Sequence, residues 1–397
     1  MKEVDNNFKE QVKAKVRQSE ISIMIGDTSL TSEDIESLEY KAEILKEIGG
    51  IEVELLRVSV LKARIPDSLF NTKTSITVYV FINNQRCVLC ELITSFWNKK
   101  DKSLFVEIEA RSSFEYDRSI PFLATKRNTR SSEFIKDIMA LTGTRYSFEG
   151  LDSSLKVAML SGNKIGDTLK QLAISTQSIV RYRNKLEFKS FKGGSPMDSI
   201  LYDELLINAN NGRDSETEFD KVTISVYMPT ESELKEIGKF EKATVPNGSS
   251  SFNLGTLTFD KPKIVGLLIF DNDVDIESFH ISSDKVSVNI ANRKPNTIDV
   301  NTTIKGFDLM DNSLESNEDT TNKVKNIKNI YIQDSGVISS YDTRIYTNPF
   351  VEVDYRGNPA IEIGDTITIE EIGDILVTEH TIKFDGAISG TIKGVVL

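Results

Sequence analysis

The C-terminal stretch constrains the fold more than any other part of the chain. From Val351 it runs VEVDYRGNPAIEIGDTITIEE, and it closes with FDGAISGTIKGVVL. Arg356-Gly357-Asn358-Pro359 predicts a turn: glycine permits positive φ, while Pro359 fixes its own φ and holds Asn358 extended. Ile361, Ile363, Ile367 and Ile369 then alternate with Glu362, Thr366 and Thr368, which predicts a strand with one buried and one wet face. Asp385-Gly386 and Ser389-Gly390 punctuate a final hairpin. The segment reads as a compact antiparallel β unit.

Upstream, most of the chain has the same texture. ISIMIG, IESLEYKAEIL, IEVELLRVSVL, ITVYVF, RCVLCELI and LFVEIEA follow one another from Ile21, separated by turn residues. Val106, Ile108 and Ala110 alternate with Glu107 and Glu109, a half-buried strand. This spacing suggests a barrel or sandwich to about Glu115. Ile35, Leu38, Ala42 and Leu45 also fit helical spacing, so a helix over Thr31–Leu45 stays open as an alternative. Residues 5–20 read as a short helix or a flexible arm, with Phe8, Val12 and Val16 on one stripe. After Pro121, Ser131 or Ser132 caps a helix bearing Phe134, Ile135, Ile138 and Met139, stopped near Gly143. A second helix starts near Lys164, with Ile165, Leu169, Leu172 and Ala173 on one face; strands Ser178–Tyr182 and Lys185–Phe188 follow, joined at Arg183-Asn184. Beyond the linker Gly193-Gly194-Ser195-Pro196, strands are expected at Lys221–Tyr227, Thr256–Asp260, Ile264–Phe270 and Lys285–Ile290. Thr230–Lys242 has no decisive pattern, and residues 311–329 read as a polar connector.

With 397 residues the chain has room for two to four domains and a large core. No apolar run reaches transmembrane length, and the charged N-terminus lacks the apolar centre of a signal peptide. Two cysteines exclude a disulfide scaffold and point to synthesis in a reducing cytoplasm. The net charge of −12 disfavours a general grip on nucleic acid or an anionic membrane. Charge is uneven: residues 116–198 carry 14 Lys+Arg against 8 Asp+Glu, and residues 301–397 carry 8 against 16. The basic stretch suits docking on acidic neighbours; no glycine cradle supports phosphate binding.

Candidate chemistry is sparse. Cys87-Val88-Leu89-Cys90 has redox-motif spacing, but on a regular strand positions i and i+3 face opposite sides, so both are expected to be core or turn-lining cysteines. Asp271, Asp273 and Asp275 begin like a calcium loop, yet Ile276 and Ser282 stand where Gly and Glu are needed; a surface turn is expected. His280 and His380 are the only histidines, and His380, beside Glu379, is expected at a rim. Glu370-Glu371 is one of several carboxylate pairs in an acidic chain, with no cleft assigned to it. Phosphate-loop, dinucleotide and zinc-protease motifs are missing from the sequence. No catalytic, cofactor-binding or metal-ligating residue and no cofactor is therefore expected, and the chain is expected not to be an enzyme.

The closing segment resembles the end of the hub proteins of bacteriophage tails, which also occur in tail-derived bacteriocins. In that family a Gly-Asn/Asp-Pro turn, a Gly-Asp strand and a terminal glycine hairpin complete a barrel that continues the tail tube. Asp167–Ala173 and Asn184–Phe188 also resemble a helix and strand of the family's small second domain. The resemblance implies an α+β, mainly β fold: two tail-tube-like β-barrel domains plus two smaller α/β or β domains. The boundaries it suggests are an arm at 1–20, a first barrel at 21–115 and an α/β domain at 116–198. A discontinuous second barrel would take 199–229 and 323–397, around an inserted β-rich domain and polar connector at 230–322.

The function implied is that of a structural hub of a tail baseplate or tail tip, in a virion made in a bacterial cytoplasm. Three copies would form a pseudo-sixfold ring joining the tail tube or distal tail protein above to a spike, tip or lysin protein below. A tape-measure protein is a further partner, with DNA passing during genome ejection without specific binding or membrane insertion. Because the chain stops at the last hairpin, any wall-degrading step is expected in a separate protein. The alternatives are the hub of a bacteriocin or contractile injection particle, and a tail-tip carbohydrate- or receptor-binding protein, for which the single Trp97 is thin support. For the C-terminal barrel an acidic lumen is expected, with several of Glu352, Asp354, Glu362, Glu370, Glu371, Asp374, Glu379 and Asp385 on the ring axis and the Ile361/Ile363/Ile367/Ile369 face inside the barrel.

Overall fold

A computed structural model describes residues 2, 4–44, 50–99, 103–118, 126–159, 164–191, 195–206, 210–212, 219–311 and 323–397. The fold is mainly β, with several sheets and a few short helices. The chain divides into two compact units: Met1–Glu115, Arg181–Phe219 and Asp342–Leu397 form the first, Tyr116–Val180 and Asp220–Tyr341 the second.

In the first unit one sheet of 13 strands joins the N-terminal and C-terminal β stretches. From one end the order is Thr28–Thr31, Ser19–Ile25, Ser75–Ile82, Gln85–Asn98, Phe105–Arg111, Glu52–Leu61 and Ile35–Ile44. It continues through Gly373–Phe384, Ile388–Val396 and Phe350–Tyr355 to Asn210–Gly212, while Thr366–Ile369 and Asp198–Ile200 branch off Gly373–Phe384. The join is antiparallel, with Glu379 opposite Glu43, Ile382 opposite Tyr40 and Phe384 opposite Leu38. Alternation does the work: Leu56, Val58 and Val60, like Ile76, Val78, Val80 and Ile82, are buried on one face and leave the other wet. Ile35–Ile44 is therefore a strand and not a helix; cross-strand partners on both sides outweigh its helical spacing.

At the N-terminus Asp5 accepts from the Asn7 amide and caps a helix over Asn6–Val12 that buries Phe8 and Val12. The helix stops there, so Val16 falls off the expected stripe and is exposed. At the C-terminus the turn forms with Gly357 at φ +80°, and Ile361, Ile363, Ile367 and Ile369 are all buried. Of the wet face expected opposite them only Thr368 is left, half-buried. Glu362, Asp365 and Thr366 are buried too, and only Thr366–Ile369 is a strand. Asp385-Gly386 makes the final turn, whereas Ser389-Gly390 lies inside the strand Ile388–Val396.

In the second unit, helix Ser131–Thr142 buries Phe134, Ile135, Ile138 and Met139 and ends at Gly143 in the left-handed region. Its cap is Arg130, not a serine: Glu133 accepts from the Arg130 amide, and Asp152 accepts from Ser132 N at 3.0 Å. Helix Ile165–Ser175 buries Ile165, Leu169, Leu172 and Ala173. The segment after the polar connector is pinned to these elements. Gln333 Oε1 accepts from Val157 N at 3.0 Å while its Nε2 donates to Val157 O at 2.7 Å, and the Tyr341 hydroxyl donates to Ile174 O. Around the long strand Ile298–Asp311 lie Tyr227–Pro229, Lys235–Val245 and Lys263–Phe270, and a second sheet holds Phe252–Thr258, Lys285–Ala291 and Asp275–Ile281. Ile298–Asp311 was not anticipated, and Lys235–Val245 resolves the undecided 230–242 stretch. Most of the 311–329 connector and part of the 193–196 linker lie outside the described residues. Among the described residues no helix is long and apolar enough to cross a membrane.

Candidate functional site

The join between the two halves of the large sheet carries polar chemistry on both of its faces. On the outer face, Lys383, Glu39, Arg57, Glu109 and Phe96 stand opposite one another on five successive strands. Lys383 lies 3.5 Å from Glu39, and Arg57 Nε donates to Glu109 at 3.1 Å. The next row is Ser37, Ser59, Glu107 and Asn98; Ser59 Oγ donates to Glu36 at 2.6 Å and Asn98 Nδ2 to Glu107 at 2.7 Å. With Asp385 and Glu36 these residues, Asn98 excepted, line a groove of 530 Å³. Further along, Lys41 bridges Glu43 and Glu379 at 2.6 and 3.5 Å, while Lys393 lies within 3.6 Å of both Glu352 and Glu379. Burial pushes the Lys41 ammonium down, but the bonds to Glu43 and Glu379 outweigh it and raise it. Exposed pairs like these contribute little stability each and mainly set the surface potential.

On the inner face Arg181 and Arg183, from the hairpin after Ser178, reach a buried cluster of carboxylates. Arg183 holds Glu52 at 2.9 Å and Glu54 at 2.7 Å, and its Nε lies 3.5 Å from Glu362. Arg181 holds Glu187 at 2.7 Å and Glu362 at 3.1 Å. The Tyr40 hydroxyl donates to the second oxygen of Glu54 at 2.6 Å. Burial works to raise the Glu362 carboxyl, but Arg181, Lys2 and Arg183 overcome it and hold it at about 2. Lys189 pairs with buried Asp365 at 2.5 Å, and Asp365 in turn accepts from Glu362 N at 2.8 Å. The cluster thus ties the strand Glu52–Leu61 to the loop before Thr366–Ile369. Sequence reasoning saw only a turn at Arg183-Asn184, since the partners lie far apart in the chain.

His380 is not at a rim. It is fully buried, with Nε2 hydrogen-bonded to Tyr355 Oη at 2.9 Å. Burial, with Lys2 nearby, lowers its ring to about 3. An unfolded histidine near 6.5 therefore binds a proton that the folded one refuses, so stability falls as pH drops from about 6.5 towards 3. Glu362 adds in the same direction below about 4.5, because its folded carboxyl releases its proton more readily. Urea unfolding between pH 6.5 and 4.5 is expected to lose up to about 1.4 kcal/mol per pH unit. His380→Gln should flatten that slope, and an unchanged slope would refute a buried neutral histidine.

The other sequence candidates are not brought together with these. Cys87 and Cys90 are both buried on the sheet's inner face, because a register shift opposite Val78 and Tyr79 inserts a residue between them. The opposite-face argument thus fails, although burial raises both thiols and suits core positions. Asp271 accepts from Asn301 N at 2.7 Å, Asp275 pairs with Arg293 at 2.9 Å, and Asp273 lies 3.8 Å from Lys294. Among the described residues no group of His, Cys, Asp and Glu is arranged to hold a metal. Of the eight acids expected on a lumen, Glu362 is buried, while Glu352, Glu370, Glu371 and Asp385 are exposed and Asp354, Asp374 and Glu379 half-buried.

This is the fold of a class of phage tail proteins. One solved structure that shares it is the 43 kDa tail protein of prophage MuSo2 from Shewanella oneidensis, with TM-score 0.52 and 10% identity over 95% of this chain and 98% of that one. Another is the tail protein of Neisseria meningitidis MC58, with TM-score 0.50 and 10% identity over 95% and 96%. By sequence, the chain matches no family model and no curated protein.

Proposed function

We propose that this chain is a structural, non-catalytic hub of a phage tail baseplate or tail tip. The observation that supports the reading is a fold shared with a prophage tail protein over nearly the whole length of both chains. Three copies would form a ring, each contributing the two halves of its large sheet, so that six similar segments surround one channel. The sheet ends at Thr28–Thr31 and Asn210–Gly212, strands with a single neighbour each among the described residues. A ring would cover such edges, which otherwise invite aggregation. In this reading the tail tube or distal tail protein lies above, a spike or tip protein below, and DNA passes without specific binding. Exposed carboxylates near the C-terminus, Glu352, Glu370, Glu371 and Asp385, would repel phosphates if they line that channel.

Reconstruction of particles from the producing cell is expected to show three copies around the axis; any other copy number would sink the ring. Particles with a filled head would indicate a phage, and headless particles a bacteriocin or injection device.

A further inference from the structure

The outer groove is concave and lined by more carboxylates than cations. Five carboxylates line it against two cations, Arg57 and Lys383, and both cations are already engaged, with Glu109 and Glu39. The remaining field is negative. Two register shifts shape the walls. One, between Thr94 and Phe96, leaves Ser95 and Phe96 both facing solvent, so that Phe96 is 55% exposed. The other, between Ile35 and Ser37, turns Glu36 outward on the opposite wall. Bulges that re-aim side chains recur beside functional surfaces. A lone exposed phenylalanine needs no explanation, but this one stands on the wall of a concave acidic groove.

We propose that this groove binds an extended lysine- or arginine-bearing segment of a partner polypeptide, with cationic side chains among the carboxylates and an apolar side chain against Phe96. The choice follows from charge and shape. Nucleic acid is repelled by the same carboxylates that attract a cationic peptide. Four inter-strand spacings give the groove a span of roughly 19 Å, the length of about six extended residues. Phe96 can take either an aliphatic side chain or a cation over its ring. The proposal does not rest on the ring, because a monomeric chain presents the same groove.

The test is fluorescence anisotropy on the full chain with a labelled peptide of alternating lysine and leucine, beside its glutamate–leucine counterpart. Saturable binding of the cationic peptide alone is expected. Phe96→Ala should weaken it about tenfold, as loss of an interface anchor does. Glu36→Gln combined with Asp385→Asn should weaken it similarly and reduce its salt dependence. Asp273→Asn with Glu277→Gln, acidic positions elsewhere, should change nothing; circular dichroism checks that each variant folds. Absence of saturable binding, indifference to Phe96→Ala, or equal weakening by the distant pair would overturn the proposal. Self-association that Phe96→Ala abolishes, and with which the peptide does not compete, would overturn it in favour of a second copy of the chain.

Discussion

Replacing Arg183 by methionine is expected to cost about 3–5 kcal/mol of stability, the magnitude that follows when one partner of a buried ion pair is removed. The size of the effect comes from what remains behind. Glu52 and Glu54 side chains are 1% and 5% exposed, and Arg183 supplies the guanidinium that faces both, at 2.9 and 2.7 Å. Burial alone already raises the Glu52 carboxyl, with Arg183 as the largest force against that. Without it, two buried carboxylates side by side must take up protons or open the sheet to water. Burial pushes the Arg183 guanidinium down, yet Glu52 and Glu54 raise it well above its ordinary value, so the arginine stays charged in place. A cycle separates the pair from the bare charge: adding Glu52→Gln and Glu54→Gln to Arg183→Met should recover much of the loss, since no buried charge is then unpaired. Urea midpoints at constant m-value measure it. A loss under about 1 kcal/mol for Arg183→Met, the scale of an exposed pair, would show that water reaches the cluster.

That cluster also marks where sequence reading stops. The β character of the chain was readable because short alternating runs such as Val106–Ala110 bury one face whatever they pair with. Helix Ser131–Thr142 was readable down to its glycine stop, since Phe134, Ile135, Ile138 and Met139 share one face. What could not be read depended on partners remote in sequence. Glu362 sat in a run that alternates like a half-exposed strand, yet Arg181 and Arg183 make its burial tolerable. The strand Ile298–Asp311 escaped notice because Asn301, Lys305, Gly306 and Asp308 interrupt its apolar residues. It is a strand because neighbours on both sides complete its ladder. The two cysteines and Phe96 were misjudged or overlooked for one shared reason: a single-residue bulge reverses the parity on which every alternation argument rests. Similarly, the join of the two β stretches into one sheet leaves no local trace in Ile35–Ile44 or Gly373–Phe384.

The Arg356–Pro359 turn carries the second large effect. Gly357→Ala is expected to cost about 2–5 kcal/mol, through two separable terms. Its φ of +80° alone costs a residue bearing a Cβ about 1–2 kcal/mol. The added atom would also lie 2.8 Å from Ile388 Cγ2 and 3.0 Å from the Ser389 carbonyl carbon, an overlap worth about 1–3 kcal/mol more. Little around it can yield. The facing strand is held at Tyr355 opposite Gly390, and the Tyr355 hydroxyl accepts from Asn358 N at 2.8 Å while bonded to buried His380. Arg17 Nη1 also donates to Gly357 O at 2.9 Å, so moving the turn disturbs the N-terminal segment as well. Gly386 supplies the control. It too has positive φ, +97°, but nothing lies within 4 Å of the position a Cβ would take, so Gly386→Ala should show the strain term alone. Chemical denaturation of both variants gives the comparison. If Gly386→Ala costs as much as Gly357→Ala, backbone strain explains both, and the close packing of Gly357 against the last hairpin contributes nothing measurable.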